Sequence, residues 1–509
     1  MGLASVKSDV QRQSRWQLWL VALLAALLAL RLAALAFNRT DLFFDEAQYW
    51  SWSLEPAFGY YSKPPLIAWI IGLARSVCGD GEFCVRLPSP VMHTVTALAV
   101  YGLGTRLYDA RTGFFAAAAF ATLPGISLSA GIISTDVPLL MCWAMALWAL
   151  AAMIEARDGP WWPPLVLGAA LGLGLNAKYA MAYFVLCLAV YLAFTPERRW
   201  LLRDRRLWLA FGLGVVLIVP NLLWNAGNGF STFAHTADNA KWSGSLFRPG
   251  KALEFLGAQF GVFGPILFGA YLVIAWRWLR RGLEPSDRLL LAFSLPIIAV
   301  VTVQAFISRA HANWAAPAYV SATVLVVATM LRGLDRKWLT ASFWIHGAVI
   351  VLLSLAMAQA GRISPPFGRD PFARTMGWKE LAAATEKKLS EARRAGTPYA
   401  AVITDERAAT AELIYYMRGE ATPVQAWYGG GRPHDHYELT RPFRDAGPGP
   451  LLLVALRPDS GGVPARFEQA ELLDDVMLPA GASARRVRFY RLNGFKGFAS
   501  AGRSVPGPK

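Results

Sequence analysis

Apolar blocks of roughly 15 to 25 residues recur along the first two thirds of the chain and constrain its fold more than any other feature. Each block approaches the length of about 20 residues that crosses some 30 Å of hydrocarbon as an α-helix. The blocks do not alternate residue by residue, as the strands of a membrane barrel would. Because 55% of the 509 residues are hydrophobic, one soluble core could not bury them. The sequence predicts an α-helical integral membrane protein.

The first apolar block, residues 19–37, follows a basic start that contains Lys7, Arg12 and Arg15. This arrangement is also typical of a signal peptide. The block is longer than a signal core, and no small-residue cleavage site closes it. We therefore expect an uncleaved first span.

The formal net charge of +16 could indicate a nucleic-acid partner, but the basic residues lie mainly in short clusters between apolar blocks. The clusters at residues 198–206, 277–281 and 332–337 are expected to face the cytosol under the positive-inside rule. This charge pattern therefore predicts how the chain is oriented in the membrane. It does not indicate a nucleic-acid partner, and we expect none. With these clusters inside, the sequence predicts about eleven spans and an outer C-terminus. The two short spans on either side of residues 176–179 could instead form one broken element. The spans are expected near residues 17–37, 86–105, 113–131, 137–155, 162–176, 180–195, 207–224, 255–278, 289–308, 315–331 and 338–358.

Three segments then lie outside the cytosol, at residues 38–85, 134–136 and 225–250. The first is too long for a turn, and its tryptophans and tyrosines favour helices lying in the membrane interface. We expect this first outer loop to roof a cavity and to carry the functional residues.

The composition changes near residue 360, where charged residues return and no later run is long enough to span a membrane. Residues 399–404 and 450–457 are predicted buried strands, and residues 408–417 a helix between them. The expected organisation is a transmembrane domain at residues 1–359, a small extracytoplasmic α/β domain at 360–497 and a disordered tail at 498–509.

Four cysteines bear on the compartment. Cys142 and Cys187 fall inside apolar spans, where they act as small hydrophobic residues. Cys78 and Cys84 flank a Gly-Asp-Gly turn in the outer loop, where a disulfide would persist. The sequence leaves open whether these two pair.

The adjacent carboxylates Asp45 and Glu46 begin a predicted interfacial helix. Helix capping and dipole complementation would account for such a pair. Lys63 lies ahead of two prolines that fix the backbone and direct its ammonium group toward the mouth of the bundle. This second feature favours a chemical role.

Three motifs in this order carry a resemblance to a known family: Asp45-Glu46-Ala47-Gln48-Tyr49, Lys63-Pro64-Pro65-Leu66 and Arg86-Leu87-Pro88. The chain resembles the polyprenyl-phosphate-dependent glycosyltransferases of the GT-C class, which include protein mannosyltransferases and the lipid A aminoarabinose and galacturonic acid transferases. The resemblance covers the layout to about residue 330. It implies that Asp45 is the catalytic base and that Lys63 holds the phosphate of the lipid carrier.

The chemistry of such a donor asks for the same two groups. A sugar on a polyprenyl phosphate has a good leaving group, so transfer needs a base for the acceptor oxygen and cations for the released phosphate. Asp136 can serve as a helix cap, while the resemblance implies an acidic group facing the cavity at this position. The expected catalytic residues are Asp45, Glu46 and Asp136; the phosphate-binding residues Lys63, Arg86, Lys241 and Arg309; and the cavity-lining residues Tyr49, Tyr60, Tyr61, His235, His311 and Trp314.

The sequence gives little indication of a metal site. His235 and His311 have no third ligand nearby, which is a poor zinc signature. Ser62 precedes Lys63 where the aminoarabinose branch tends to carry an acid, and this departure weakens a metal inference further. No nucleotide-binding phosphate loop occurs in a cytosolic segment. We expect no bound cofactor and no required metal, with a polyprenyl-phosphate-linked sugar as the donor.

The predicted function is inverting transfer of a sugar from a polyprenyl phosphate to lipid A or the lipopolysaccharide core, at the periplasmic face of a bacterial inner membrane. The expected partners are membrane lipids, the donor and a glycolipid acceptor, and the enzyme is expected to be a monomer. Two alternatives stay open: transfer to protein Ser or Thr, and a transporter or flippase for a lipid-linked sugar. A transporter would be expected to show internal repeats and polar residues near the midplane.

Overall fold

The computed structural model describes residues 3–240, 246–281, 284–333, 336–362, 370–444 and 449–498. The chain divides into two compact units. The helical unit comprises Met1–Asn38 and Pro56–Ala358. The mixed unit comprises Arg39–Glu55 and Gln359–Lys509. The predicted tail from residue 499 onward lies outside the described residues.

The chain is mostly helical. In chain order its α-helices are α1 (Leu3–Ala36), α2 (Phe44–Leu54), α3 (Leu66–Cys78), α4 (Glu82–Arg86), α5 (Pro88–Leu107), α6 (Ala110–Thr122), α7 (Pro124–Ser129), α8 (Asp136–Glu155), α9 (Trp162–Ala177), α10 (Tyr183–Phe194), α11 (Arg205–Gly227), α12 (Ser231–Ala240), α13 (Pro249–Val262), α14 (Pro265–Arg281), α15 (Pro285–Ala292), α16 (Leu295–Ile307), α17 (Ala318–Arg332), α18 (Arg336–Ala358), α19 (Trp378–Arg394), α20 (Arg407–Tyr416) and α21 (His436–Thr440).

Within the described residues, six helical segments of the helical unit are long and apolar enough to cross a membrane. They are Gln13–Ala36, Glu82–Leu107, Asp136–Glu155, Arg205–Gly227, Pro285–Ile307 and Arg336–Ala358. Shorter apolar helices accompany them at Leu66–Cys78, Trp162–Ala177, Tyr179–Phe194, Pro265–Trp278 and Ala318–Arg332. The chain is therefore a helical membrane protein, as its apolar blocks predict.

The expected spans at residues 113–131 and 255–278 are interrupted in the structure. The expected span at residues 113–131 divides into α6 and α7, with Pro124 as the first residue of α7. Proline is favoured at this position because its missing N–H is not needed there. The expected span at residues 255–278 divides into α13 and α14 at Gly264, whose φ of +88° lies in the left-handed region. These turn-forming residues end each helix before it reaches the predicted length.

Helix α8 is buried along most of its length and forms the centre of the helical unit. Its Trp143 packs edge-on against Phe184 of α10 and Phe293, with ring centroids 5.3 and 6.3 Å away. Beside it, α9 meets α11 closely, because Gly168 and Gly172 have no side chain to separate the two backbones. Small residues commonly allow membrane helices such an approach.

The outer loop forms helices, as predicted, and its cysteines pair. A disulfide joins Cys78, the last residue of α3, to Cys84 in α4, with the two Cα atoms 5.8 Å apart. Cys142 and Cys187 are buried free thiols in α8 and α10. The pairing left open by the sequence is therefore present.

The mixed unit contains a five-stranded sheet of order β2-β1-β3-β5-β4. The strands are β1 (Ala401–Thr404), β2 (Val424–Ala426), β3 (Leu451–Ala455), β4 (Phe467–Ala480) and β5 (Ser483–Phe495). Strand β1 runs parallel to β2 and β3, whereas β5 is antiparallel to β3 and β4. The two predicted buried strands and the helix between them are confirmed as β1, β3 and α20.

Alternate residues of the sheet belong to two separate hydrophobic cores. Val402 and Leu452 pack with α19 and α20. Their neighbours Ile403 and Leu453 pack on the other side with Phe443. Helix α2, from the outer loop, packs against α20 and is part of this unit. The mixed unit is therefore built from two distant segments of the chain.

Candidate active site

The adjacent carboxylates Asp45 and Glu46 lie in the first turn of α2 but differ in environment. Glu46 is buried, and its Oε2 accepts a hydrogen bond of 2.9 Å from the backbone N–H of Phe43. This contact satisfies one of the amide groups that a helix N-terminus leaves unpaired. The side chain of Asp45 is 36% exposed. Of the two, Asp45 is the carboxylate that an acceptor could reach.

Arg407, the first residue of α20, holds Asp45. Its Nη1 lies 3.0 Å from Asp45 Oδ1 and 2.9 Å from Gln48 Oε1, to which it donates. The guanidinium carbon also lies 4.7 Å from the centroid of the Phe44 ring. Sequence reasoning missed Arg407, because no local spacing connects α20 with a helix more than three hundred residues earlier.

The segment that leads into α2 is fixed to the same unit. The backbone N–H of Trp378 donates to Asp41 Oδ2 at 2.9 Å, and Lys379 Nζ lies 3.3 Å from Asp41 Oδ1. A carboxylate at this place caps the N-terminus of α19 and complements its dipole. The N–H of Leu42 donates to the hydroxyl of Tyr416 at 2.8 Å. Asp41 is another residue that sequence reasoning missed.

The second half of α2 packs against α21. The hydroxyl groups of Ser51 and Tyr437 lie 3.0 Å apart in the buried interior. Trp52 meets the ring of His436 edge-on, with centroids 5.3 Å apart. Tyr49, expected to line a cavity, is 4% exposed, and its ring packs 5.2 Å from that of Trp52. The Tyr49 side chain thus packs in the buried interior beside α2.

Burial shifts the titration of two side chains beneath α2. Burial lowers the pKa of His436 to about 3, and the positive charges of Arg441 and Arg407 add to the effect. Burial raises the pKa of the Tyr437 hydroxyl above its usual range. Both groups are therefore neutral at physiological pH.

In the helical unit, Asp136 is the first residue of α8 and is 8% exposed. Its Oδ1 lies 2.7 Å from Lys178 Nζ, and its Oδ2 accepts a hydrogen bond of 2.7 Å from Asn313 Nδ2. The contact with Asn313 brings the segments at residues 134–136 and 308–314 together. Sequence reasoning did not select Lys178. A lysine between two apolar spans was the available signal, because such a charge needs a partner.

The Lys63 loop is fixed by polar contacts with α11 and α12. Asn221 Nδ2 donates to the carbonyl oxygen of Phe58 at 2.7 Å. The Thr232 hydroxyl donates to the carbonyl oxygen of Tyr60 at 2.7 Å, and the N–H of Tyr60 donates to the Lys63 carbonyl at 3.1 Å. These contacts hold the backbone turn that carries the half-buried Lys63 side chain.

The aromatic candidates of the outer segments pair with the histidines. The buried Tyr61 packs against His235, with ring centroids 5.5 Å apart. His311 packs against Trp314 at 5.4 Å. Tyr60 is likewise buried. Within the described residues, no group of three or more His, Cys, Asp or Glu side chains is arranged to hold a metal ion.

The predicted phosphate-binding cations differ in their surroundings. Arg86 is fully buried at the end of α4. Arg309 is half-buried, and its Nε has no hydrogen-bond partner in the described part of the chain. Lys241 lies outside the described residues. Arg309 thus retains donor capacity for an anion.

A family model described as dolichyl-phosphate-mannose-protein mannosyltransferase matches residues 62–224. A lipid A galacturonosyltransferase of Rhizobium johnstonii is 35% identical over 409 residues, which cover 80% of this chain and 84% of that protein. A lipopolysaccharide core galacturonosyltransferase of the same organism is 26% identical over 67% of this chain and 71% of its own.

The fold has a solved counterpart. The structure of ArnT from Cupriavidus metallidurans in the apo state superimposes with a TM-score of 0.64, covering 93% of this chain and 97% of that one at 17% identity. The same protein has been solved bound to undecaprenyl phosphate, with a TM-score of 0.62, 16% identity, and coverage of 93% and 98%. From its motifs, its fold and its extended similarity to a galacturonosyltransferase, the chain belongs to the GT-C family of membrane glycosyltransferases that use polyprenyl-phosphate-linked sugars.

Proposed function

We propose that this enzyme transfers galacturonic acid from a polyprenyl phosphate to lipid A, with inversion at the anomeric carbon. The observation that carries this choice of sugar and acceptor is the 35% identity to a lipid A galacturonosyltransferase across 84% of its length. The core galacturonosyltransferase supports the same sugar and offers the lipopolysaccharide core as the second acceptor.

In the proposed reaction, Asp45 accepts the proton of an acceptor hydroxyl as the hydroxyl oxygen forms a bond to the anomeric carbon of the sugar. The bond between that carbon and the phosphate oxygen breaks, and polyprenyl phosphate leaves with the electron pair. A single displacement of this kind inverts the anomeric centre. The partly exposed carboxylate of Asp45 supports its role as the base, since a base must come within hydrogen-bond reach of the proton.

Cationic groups stabilise the charge that develops on the departing phosphate. We assign this role to Lys63, Arg86, Lys241 and Arg309. The Nε of Arg309, without a partner in the described residues, supports its inclusion. Asp136 is kept as a secondary site at the start of α8, where Lys178 and Asn313 hold its two oxygens.

The proposed topology has about eleven spans, with the active site and the C-terminal part of the chain on the periplasmic side of a bacterial inner membrane. The basic clusters between the helices support this orientation. We further propose that the enzyme acts as a monomer and without a bound metal or cofactor.

Mass spectrometry of lipid A, core and polyprenyl phosphates from cells carrying wild type, Asp45→Asn or Lys63→Ala tests this proposal. At matched membrane abundance, both variants should lose a uronate-sized adduct from lipid A while the sugar-charged carrier accumulates. Glu55→Gln is the matched control, because this exposed carboxylate lies just beyond the other end of α2. Unchanged lipid A in the Asp45→Asn strain would contradict the assignment of Asp45 as the base. A sugar adduct on protein in place of lipid A would contradict the proposed acceptor.

A further inference from the structure

We infer that Arg407 is a positioning residue for the catalytic base, so that the C-terminal part of the chain takes part in catalysis. The inference rests on the proposed role of Asp45. Nothing in the motifs of the outer loop points to this residue, since Arg407 belongs to α20 in the mixed unit.

The guanidinium of Arg407 contacts three side chains in the first turns of α2. It pairs with Asp45 at 3.0 Å, donates to Gln48 at 2.9 Å and lies over the ring of Phe44 at 4.7 Å. Both acceptors lie on one arm of the planar guanidinium fork, Nη1, whose two N–H groups point in fixed directions, unlike those of a freely rotating lysine ammonium. Arg407 therefore fixes the direction of the Asp45 carboxylate and not only its position.

The pairing with Arg407 leaves one oxygen of the Asp45 carboxylate to accept a proton. Within the described residues, Arg407 is the one side chain that pairs with Asp45, and it does so through Oδ1. A carboxylate accepts hydrogen bonds at both oxygens. The other oxygen remains to receive the proton of the acceptor, in the same way that many catalytic bases are oriented by a third group.

The helix that carries Arg407 is supported by a hydrophobic core. Helix α20 packs with α19 in a shared hydrophobic core, and Phe44 packs against the same core. Asp41 joins the entrance of α2 to the start of α19. A displacement of about 1 Å at a reacting group can cost on the order of 100-fold in rate. The mixed unit is built to prevent such a displacement.

Steady-state kinetics of the purified enzyme, with polyprenyl phosphate galacturonate and lipid A as probes, tests the inference. Arg407→Gln should lower kcat by roughly 10- to 100-fold while the KM for the donor changes by less than about threefold. Arg407→Lys should recover part of kcat, because it restores the charge but not the fork. Arg441→Gln is the control: Arg441 pairs with Glu55 at 3.0 Å at the far end of α2, and its loss should leave kcat within about twofold.

The double variant Asp45→Asn/Arg407→Gln separates this inference from the proposed function. If Arg407 acts through Asp45, the double variant should be no slower than Asp45→Asn alone. An inactive Asp45→Asn with a wild-type kcat in Arg407→Gln overturns the inference and leaves the base in place. A fully active Asp45→Asn overturns both. If Arg407→Gln and Arg407→Lys lose thermal stability equally and kcat falls with that loss, Arg407 has a structural role only. This result also overturns the inference.

Discussion

Asp45 and Glu46 are neighbours in the chain, yet their carboxylates have different partners. Glu46 turns inward to cap α2, while Asp45 stays partly exposed beside Arg407. Glu46 thus stabilises the helix that carries Asp45. At this scale the capping interpretation is confirmed for Glu46, whereas the chemical role of Asp45 stays a prediction.

His436, beneath α2, should make the stability of the protein depend on pH. Its pKa is lowered to about 3 in the folded state, against about 6.5 for an unperturbed histidine. Below about pH 6.5 the unfolded chain binds a proton that the folded chain does not, so stability is full above this pH and falls as pH decreases. His436→Gln should lose less stability than wild type between pH 7.5 and pH 5.5, by on the order of 1 kcal/mol.

Thermal unfolding in detergent at the two pH values measures this difference. The exposed His434, two residues earlier, provides the control variant His434→Gln, which should retain the wild-type pH dependence. An identical fall in Tm for wild type and His436→Gln would contradict the assignment.

At the scale of elements, the contact between α9 and α11 depends on glycine. A Cβ atom at Gly168 would lie 2.6 Å from the carbonyl oxygen of Ala210, and one at Gly172 would lie 2.6 Å from Leu217 Cβ. These helices lead directly to Lys178 and Asn221, so their spacing bears on the position of both polar groups.

Gly168→Ala should therefore destabilise the helical unit by about 1–3 kcal/mol, the usual cost of overpacking. Gly212, in α11, offers a matched control because a Cβ there meets nothing within 4 Å. Gly212→Ala should be neutral or stabilising by about 0.5–1 kcal/mol, since alanine favours a helix over glycine. Tm values of the two purified variants decide the matter, and equal Tm values would count against close packing at Gly168.

At the scale of the whole molecule, the arrangement of basic clusters predicts sidedness that cysteine labelling can test. In a background carrying Cys142→Ala and Cys187→Ala, Glu386→Cys should react with a membrane-impermeant maleimide in intact spheroplasts. Arg203→Cys should react only after permeabilisation. Both positions are exposed in the structure, so access to the reagent depends on membrane side. The reverse pattern would invert the proposed topology.

The sequence alone determined the class of fold and the family. Apolar blocks predict membrane helices because hydrocarbon length and backbone hydrogen bonding admit few alternatives. The motifs around Asp45, Lys63 and Arg86 identify the glycosyltransferase family, because they follow one another in a fixed order over residues 45–88. Strands β1 and β3 and the helix α20 between them were also predictable, since buried strands and helices carry local hydrophobic patterns.

Tertiary structure alone decided the partners of the candidate residues. Arg407 meets Asp45, Lys178 meets Asp136 and Asp41 caps α19 across long separations in the chain, for which no local pattern exists. The assignment of residues 39–55 to the mixed unit arose in the same way. Local physics sets which helices and strands form, whereas packing sets which side chains meet.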